Sequence, residues 1–159
     1  MGLKLTFCTI GRRPRASWAA DALEHYSKFL SKYADVSFRS VKPATSSRSN
    51  ATEIMRIEGD RLLELVGDEN GFRIVCDQAG KSFDSESFAK RLQKGTDAKS
   101  GRAVIVIGGA LGLDPRIVKW ADLVWSFGPM TLSHELALIT ACEQAARALS
   151  ILRGDHYHK

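Results

Sequence analysis

The sequence predicts an α/β fold: a mostly parallel sheet flanked by helices. Segments with strand character alternate with segments whose apolar residues keep helical spacing, the pattern of strand–helix–strand units. Ala103–Ile107 is wholly apolar and largely β-branched, as expected of a central strand covered on both faces. At 159 residues, with 44% hydrophobic and 26% charged residues, the chain suits one globular domain over 1–159 and has no room for a second core.

Leu3–Ile10 reads as the first strand, closed by Gly11 and Pro14. Ala19, Ala22, Leu23, Tyr26, Phe29, Leu30 and Tyr33 keep helical spacing, which predicts an amphipathic helix over 17–33. Val36–Val41 is the second strand, and the stretch 42–49, rich in Ser, Thr and base, reads as a loop. Asn50 and Glu53 form a capping-box signature for a helix over 51–66. Phe72–Asp77 is a short apolar strand, followed by a helix over 85–94. A glycine-rich loop follows the 103–107 strand. Asp114-Pro115 then supplies an N-cap and an N1 proline for a helix to residue 120. Leu123–Ser126 is the last strand, and a long helix covers 133–152.

That final helix is apolar around nearly its whole circumference, so it must be buried on all sides. In so small a domain this predicts a homodimer, with Ala141 or Ala145 near the partner.

Charge is unevenly placed. The chain carries 23 Lys and Arg against 18 Asp and Glu, net +5. Residues 1–50 hold nine basic and three acidic side chains, so the excess lies wholly in this first third. It concentrates in Gly11 to Arg15 and in Lys42 to Arg48, which marks Arg12, Arg13 and Arg15 as candidate contacts to a nucleic-acid backbone. The alternative is a solvated, solubilising face. The longest run of apolar residues and glycines, Ala103–Leu113, is too short to span a bilayer, and Lys4 interrupts any signal-peptide core, so no membrane association is expected. Three separated cysteines, Cys8, Cys76 and Cys142, suit reduced thiols in a cytoplasmic protein. His25, His134, His156 and His158 lack the spacing of a metal site, and no metal is expected.

Gly80-Lys81-Ser82 lacks the earlier glycine of a phosphate-binding loop. Gly108 to Gly112 lacks dinucleotide-loop spacing, so a nucleotide-dependent redox enzyme rests on that loop alone. The stronger signal is convergence. Loops beginning at Cys76, at Gly108 and at Phe127 each follow a strand, and parallel strands place such loops along one ligand-binding edge. Small residues there free the backbone to bond an adenine edge, with Met130 and Leu132 as apolar walls. The ending Arg153-Gly154-Asp155-His156-Tyr157-His158-Lys159 pairs cations with an aromatic ring, which suits base stacking and phosphate contact, against the alternative of a frayed terminus.

Several pieces, in order and spacing, match a known family over essentially the whole chain. They are Asp77-x-x-Gly80-Lys81 followed by Asp84-Ser85, Ile107-Gly108-Gly109-x-x-Gly112-Leu113, and Ser126-Phe127-x-x-Met130-Thr131-Leu132-x-His134. Glu143-Gln144, Arg147-Ala148 and Tyr157-His158-Lys159 complete the set. The chain resembles the RlmH-type ribosomal RNA methyltransferases of the SPOUT class. The resemblance implies a C-terminal deep trefoil knot, a homodimer, and methyl transfer from S-adenosylmethionine to N3 of a pseudouridine in large-subunit (23S) ribosomal RNA, on the ribosome. It also implies a cofactor site at Cys76, Gly108, Gly109, Gly128, Pro129, Met130, Thr131, Leu132 and Ser133. RNA contacts fall on Arg12, Arg13, Arg15, Arg153, Tyr157 and His158, with His158 as candidate general base. The chain departs from the family at Ser133, Ala110-Leu111 and Leu138; the last stands where the family usually has arginine. That departure supports the alternative of a non-catalytic ribosome-binding protein that retains the fold.

Overall fold

The structure, a computed structural model, describes residues 2–12, 14, 17–45 and 50–158; of His158 only the backbone is described. Five parallel strands form one sheet in the order β2-β1-β4-β3-β5: β1 (Leu3–Ile10), β2 (Ala34–Val41), β3 (Phe72–Lys81), β4 (Arg102–Ile107) and β5 (Leu123–Trp125). The helices are α1 (Ser17–Leu30), α2 (Ala51–Val66), α3 (Ser85–Asp97), α4 (Pro115–Trp120) and α5 (His134–Arg153), and a short 3-10 turn covers His156–His158.

Alternation along β4 explains the three layers. Ala103, Ile105 and Ile107 meet the cluster containing α1, α3 and α5, while Val104 and Val106 meet the one containing α2 and α4. Every residue of Ala103–Ile107 is buried, as a doubly covered strand requires.

Boundaries differ where tertiary pairing overrides local pattern. The first helix stops at Leu30 rather than 33, because Tyr33 bonds back to Leu30 in a turn that feeds β2 at Ala34, two residues before the expected start. β3 runs on to Lys81, past the expected Asp77, since a register shift lets Lys81 pair beside Trp125 as Cys76 does. Gly80 permits this: a Cβ there would sit 2.6 Å from the Val124 carbonyl oxygen.

α5 corrects the expectation about its apolar surface. It packs against both α1 and α3 and over β4, so those elements cover it. Ala141 and Ala145 are fully buried within the chain itself, which rules them out as partner-facing residues. Its half-buried positions include Ile139, Thr140, Glu143, Gln144, Arg147, Ile151 and Leu152.

α3 approaches the sheet as closely as a helix can. A Cβ on Gly95 would lie 2.3 Å from the ring of Phe72, which is itself buried. Alanine is the better helix former by about 1 kcal/mol, but here overpacking outweighs that gain. Gly95→Ala is expected to destabilise the fold by about 1–3 kcal/mol in thermal or denaturant unfolding.

Candidate functional site

The second half of β3, at Cys76, Asp77 and Gln78, and the loops after β4 and β5 meet at the carboxyl edge of the sheet around a cavity of about 650 Å³, well sized for a nucleoside-like ligand. Of the sequence-predicted residues, Cys76, Gly108, Gly109, Gly128, Met130, Thr131, Leu132 and Ser133 line it. Pro129 does not: it is exposed, carried outward in the turn that follows Gly128 (φ +119°).

Glycine is needed at two places in this wall. A Cβ on Gly108 would fall 2.8 Å from Leu113 Cγ, because the 108–113 turn folds back on itself and closes with Gly112 N–H donating to Gly109 O at 3.1 Å. Gly112 itself has φ +90°. The loops are also tied to one another. Gln78 Nε2 donates to Thr131 Oγ1 at 2.7 Å, linking the end of β3 to the loop after β5. Asp77 folds its own turn by accepting the Ala79 N–H at 2.8 Å. Burial pushes the Cys76 thiol strongly up, so it is a neutral wall group rather than a nucleophile.

His134 is a pocket residue that the sequence marked as part of a family motif and weighed as a metal ligand but did not place in the cofactor site. Ser133 caps α5 through its hydroxyl, which accepts the Leu136 N–H, and this places His134 under the β4 turn. Its Nδ1 lies 3.0 Å from Gly108 O, so the N–H is on Nδ1 and the lone pair on Nε2. That Nε2 is buried and has no hydrogen-bond partner among the described residues. The histidine sits immediately after a serine N-cap at the end of a strand-following loop, a signal that was present in the sequence. Free glycine backbone, apolar walls from Leu113, Phe127 and Leu132, and this unpartnered acceptor together fit a nucleoside-like ligand. Among the described residues no group of three His, Cys, Asp or Glu side chains is placed to hold a metal.

The basic and C-terminal candidates lie elsewhere. Arg12 is exposed just after β1, on the same edge as the cavity; Arg13 and Arg15 lie outside the described residues, as does the side chain of His158. The tail folds back at the opposite edge. The Tyr157 ring packs at a tilt against Phe29, centroids 4.5 Å apart, in the second half of α1 and lies beneath Arg147, and Tyr33 donates to Asp155 at 2.6 Å. Arg147 in turn pairs with Glu143 at 2.6 Å. Burial first, then the Tyr26 contact, pushes the Tyr157 phenol up to about 12. α5 starts at the cavity and runs about 30 Å to its end at Arg153. Within one chain, Arg153 and Tyr157 are therefore remote from the cavity.

Comparisons with known proteins agree with this architecture. A family model described as "Predicted SPOUT methyltransferase" matches residues 3–158. A protein of Rubrobacter xylanophilus named "Ribosomal RNA large subunit methyltransferase H" is 36% identical over 156 residues, covering 98% of each chain. A protein of the same name from Leuconostoc citreum is 34% identical over the full length of both. A crystal structure of a "Probable Methyltransferase" from Bordetella pertussis shares the fold, with TM-score 0.55 over 93% of this chain and 96% of the other at 13% identity.

The base of the glycine turn depends on a carboxylate. Asp114 caps α4 by accepting the Arg116 N–H at 2.7 Å and also holds the Arg116 guanidinium, which reaches across to Asp60 of α2 at 2.8 Å. The Arg116 hydrogen bond keeps the Asp114 carboxyl below its ordinary range. A depressed folded-state pKa contributes stability above the unfolded value, near 3.9, that is lost as pH falls through the folded one. Asp114→Asn should lower the melting temperature at pH 7, and the gap to the unsubstituted protein should narrow as pH drops below about 4. An equal gap at pH 7 and pH 3 would refute this.

Proposed function

The chain belongs to the SPOUT methyltransferase family, and we propose that it transfers a methyl group from S-adenosylmethionine to N3 of a pseudouridine in large-subunit ribosomal RNA, acting on assembled ribosomes in the cytoplasm. The observation that carries the proposal is the cavity built from three strand-end loops, on the residues where the resemblance puts the cofactor. In this reading the loop after β5 enters α5 through a deep trefoil knot, and the chain is a single domain that works as a homodimer.

Gly108, Gly109 and Gly128 present bare backbone to the adenosyl group, Met130 and Leu132 flank it, and Cys76, Thr131 and Ser133 complete the wall. When bound, the cofactor supplies a methyl group already activated on a sulfonium, so the protein's work is positioning and proton removal. His134 fixes the β4 turn through Gly108 and keeps the pocket shape before RNA arrives. Arg12, with Arg13 and Arg15, holds phosphate at the cavity edge. The N3 proton must leave, and the His158 imidazole, a side-chain type suited to general-base work, accepts it.

That role demands a second copy. The tail and the cavity of one chain lie at opposite edges of the sheet, so Arg153, Tyr157 and His158 reach the site of the partner protomer. Two measurements check the reading. A Cβ on Gly109 would lie 3.3 Å from Ile10 Cγ2 and from Glu58 Oε2, on the face of the turn away from the cavity, so Gly109→Val pushes the turn into the cofactor site and should abolish cofactor binding in calorimetry while the protein stays folded.

Deleting Tyr157–Lys159 should leave cofactor affinity intact and lower methyl transfer at least about tenfold, the scale of 1.4 kcal/mol of transition-state stabilisation. Mixing the two inactive variants then tests the exchange. Random reassortment makes half the dimers hybrid, each with one complete site, so about a quarter of normal activity should return. A mixture that stays inactive would place the tail in its own chain's site or remove it from catalysis.

A further inference from the structure

A second cavity lies along the outer edge of the sheet, where β2 meets α2. It encloses about 410 Å³ and is lined by Arg39, Val41, Lys42, Arg61, Glu64 and Leu65. Nothing in the methyl-transfer reading uses it. We propose that this groove binds the phosphate backbone of the same RNA whose target base enters the pocket, an inference that rests on the ribosomal RNA reading above.

Three cations line the groove; side-chain bonds hold the two arginines there, and the backbone that carries the lysine is held. Arg61 Nη1 donates to the Lys42 carbonyl at 2.8 Å, which holds the guanidinium beside the end of β2 and leaves its other N–H groups outward. Arg39 uses Nη1 on Glu69 at 2.8 Å, and its side chain is still 40% exposed. Lys42 is exposed and forms no ion pair among the described residues. Glu64 is the opposing charge in the lining. A solvated basic face would leave these side chains free to swing, whereas here the backbone carrying Lys42 is pinned.

The pin is Glu58, a carboxylate only 5% exposed on the inner side of α2. One of its oxygens accepts the Ala44 N–H at 3.0 Å. The other lies 3.3 Å from where a Cβ on Gly109 would stand, against the turn that lines the cofactor pocket. One buried carboxylate thus ties Ala44 to α2 at a point that packs against the pocket turn. β2 is two strands from β4, a lateral distance of about 10 Å, which a single RNA strand can bridge. Groove and pocket share one edge of the sheet at a fixed separation, as a backbone contact flanking a reacting nucleotide requires.

The test measures binding of the labelled protein to purified ribosomes that lack the methyl group, by fluorescence anisotropy between about 50 and 200 mM salt. Lys42→Gln, Arg61→Gln and the double variant should each weaken binding by about three- to tenfold per lost contact, and flatten the logarithmic salt slope by about 0.7–0.9 per contact. Glu64→Gln should tighten binding. S-adenosylmethionine affinity, sedimentation and the single-turnover rate at saturating RNA should not change. Lys42 is exposed, so Lys42→Gln remains informative if Arg61→Gln misfolds. If the unsubstituted protein methylates ribosomal RNA and Lys42→Gln keeps its affinity and salt slope, the groove assignment is overturned. Failure of the unsubstituted protein to methylate would instead overturn the function itself.

Discussion

A parallel sheet imposes the organisation of this molecule. All five strands run the same way, so every strand delivers its carboxyl end to one edge and each connection must return across a face. The helices that make those returns cover both faces, and the loops that start them collect where a ligand can reach backbone groups. β1, β3, β4 and β5 each contribute a strand-end segment there: Gly11 and Arg12, Asp77 and Gln78, the 108–113 turn, and the 127–133 loop. The opposite edge receives the ends of α1 and α5, and with them the tail. Separation of pocket and tail is therefore a consequence of strand direction, and a site that needs both must draw on two chains.

Close approach and a few buried polar ties hold the edge in shape. Gly59 lets α2 come so near the start of α4 that a Cβ would fall 2.6 Å from Asp114 Cβ. Asp114 and Arg116 then lock α4 beneath the glycine turn, and Arg116 reaches Asp60 on α2. Glu58 belongs to the same stretch of α2 and faces the other side of that turn. Three consecutive residues, Glu58, Gly59 and Asp60, thus connect the second helix to the pocket floor. The polar members are worth their desolvation because the carboxylates are hydrogen-bonded, the condition under which buried charge is tolerated.

Much of this was legible in the sequence because it follows from period and punctuation. The apolar run at 103–107 announced a central strand, and Asn50 and Asp114 announced helix starts that the structure caps as expected. Convergence of the three loops needed only strand direction. What could not be read depends on partners distant in sequence. The apolar circumference of α5 pointed outward to a second subunit, whereas α1 and α3 supply the cover within the chain, so Ala141 and Ala145 are interior. The resemblance put Pro129 in the cofactor site, whereas after Gly128, with its positive φ, it is exposed and outside the cavity lining. His134 gave no metal pattern, and only the fold shows its Nδ1 on Gly108. The tail carried the composition of an RNA contact, yet composition does not say which edge it occupies.

Leu138 bears on whether chemistry survives in this chain. Where the family usually has arginine, this side chain is only 1% exposed and lies in the cluster formed by α1, α3, α5 and the sheet. It does not line the pocket, although its neighbour Ala137 does. An arginine at that depth would need its own buried partners, and an apolar residue of suitable volume replaces such a charge at little cost or at a gain in stability. Leu138 itself therefore lies beneath the site rather than facing it. A loss-of-chemistry reading drew its support from the missing guanidinium alone. With the pocket loops intact and His134 seated under the β4 turn, the substitution is better accounted for as repacking of the layer that supports α5.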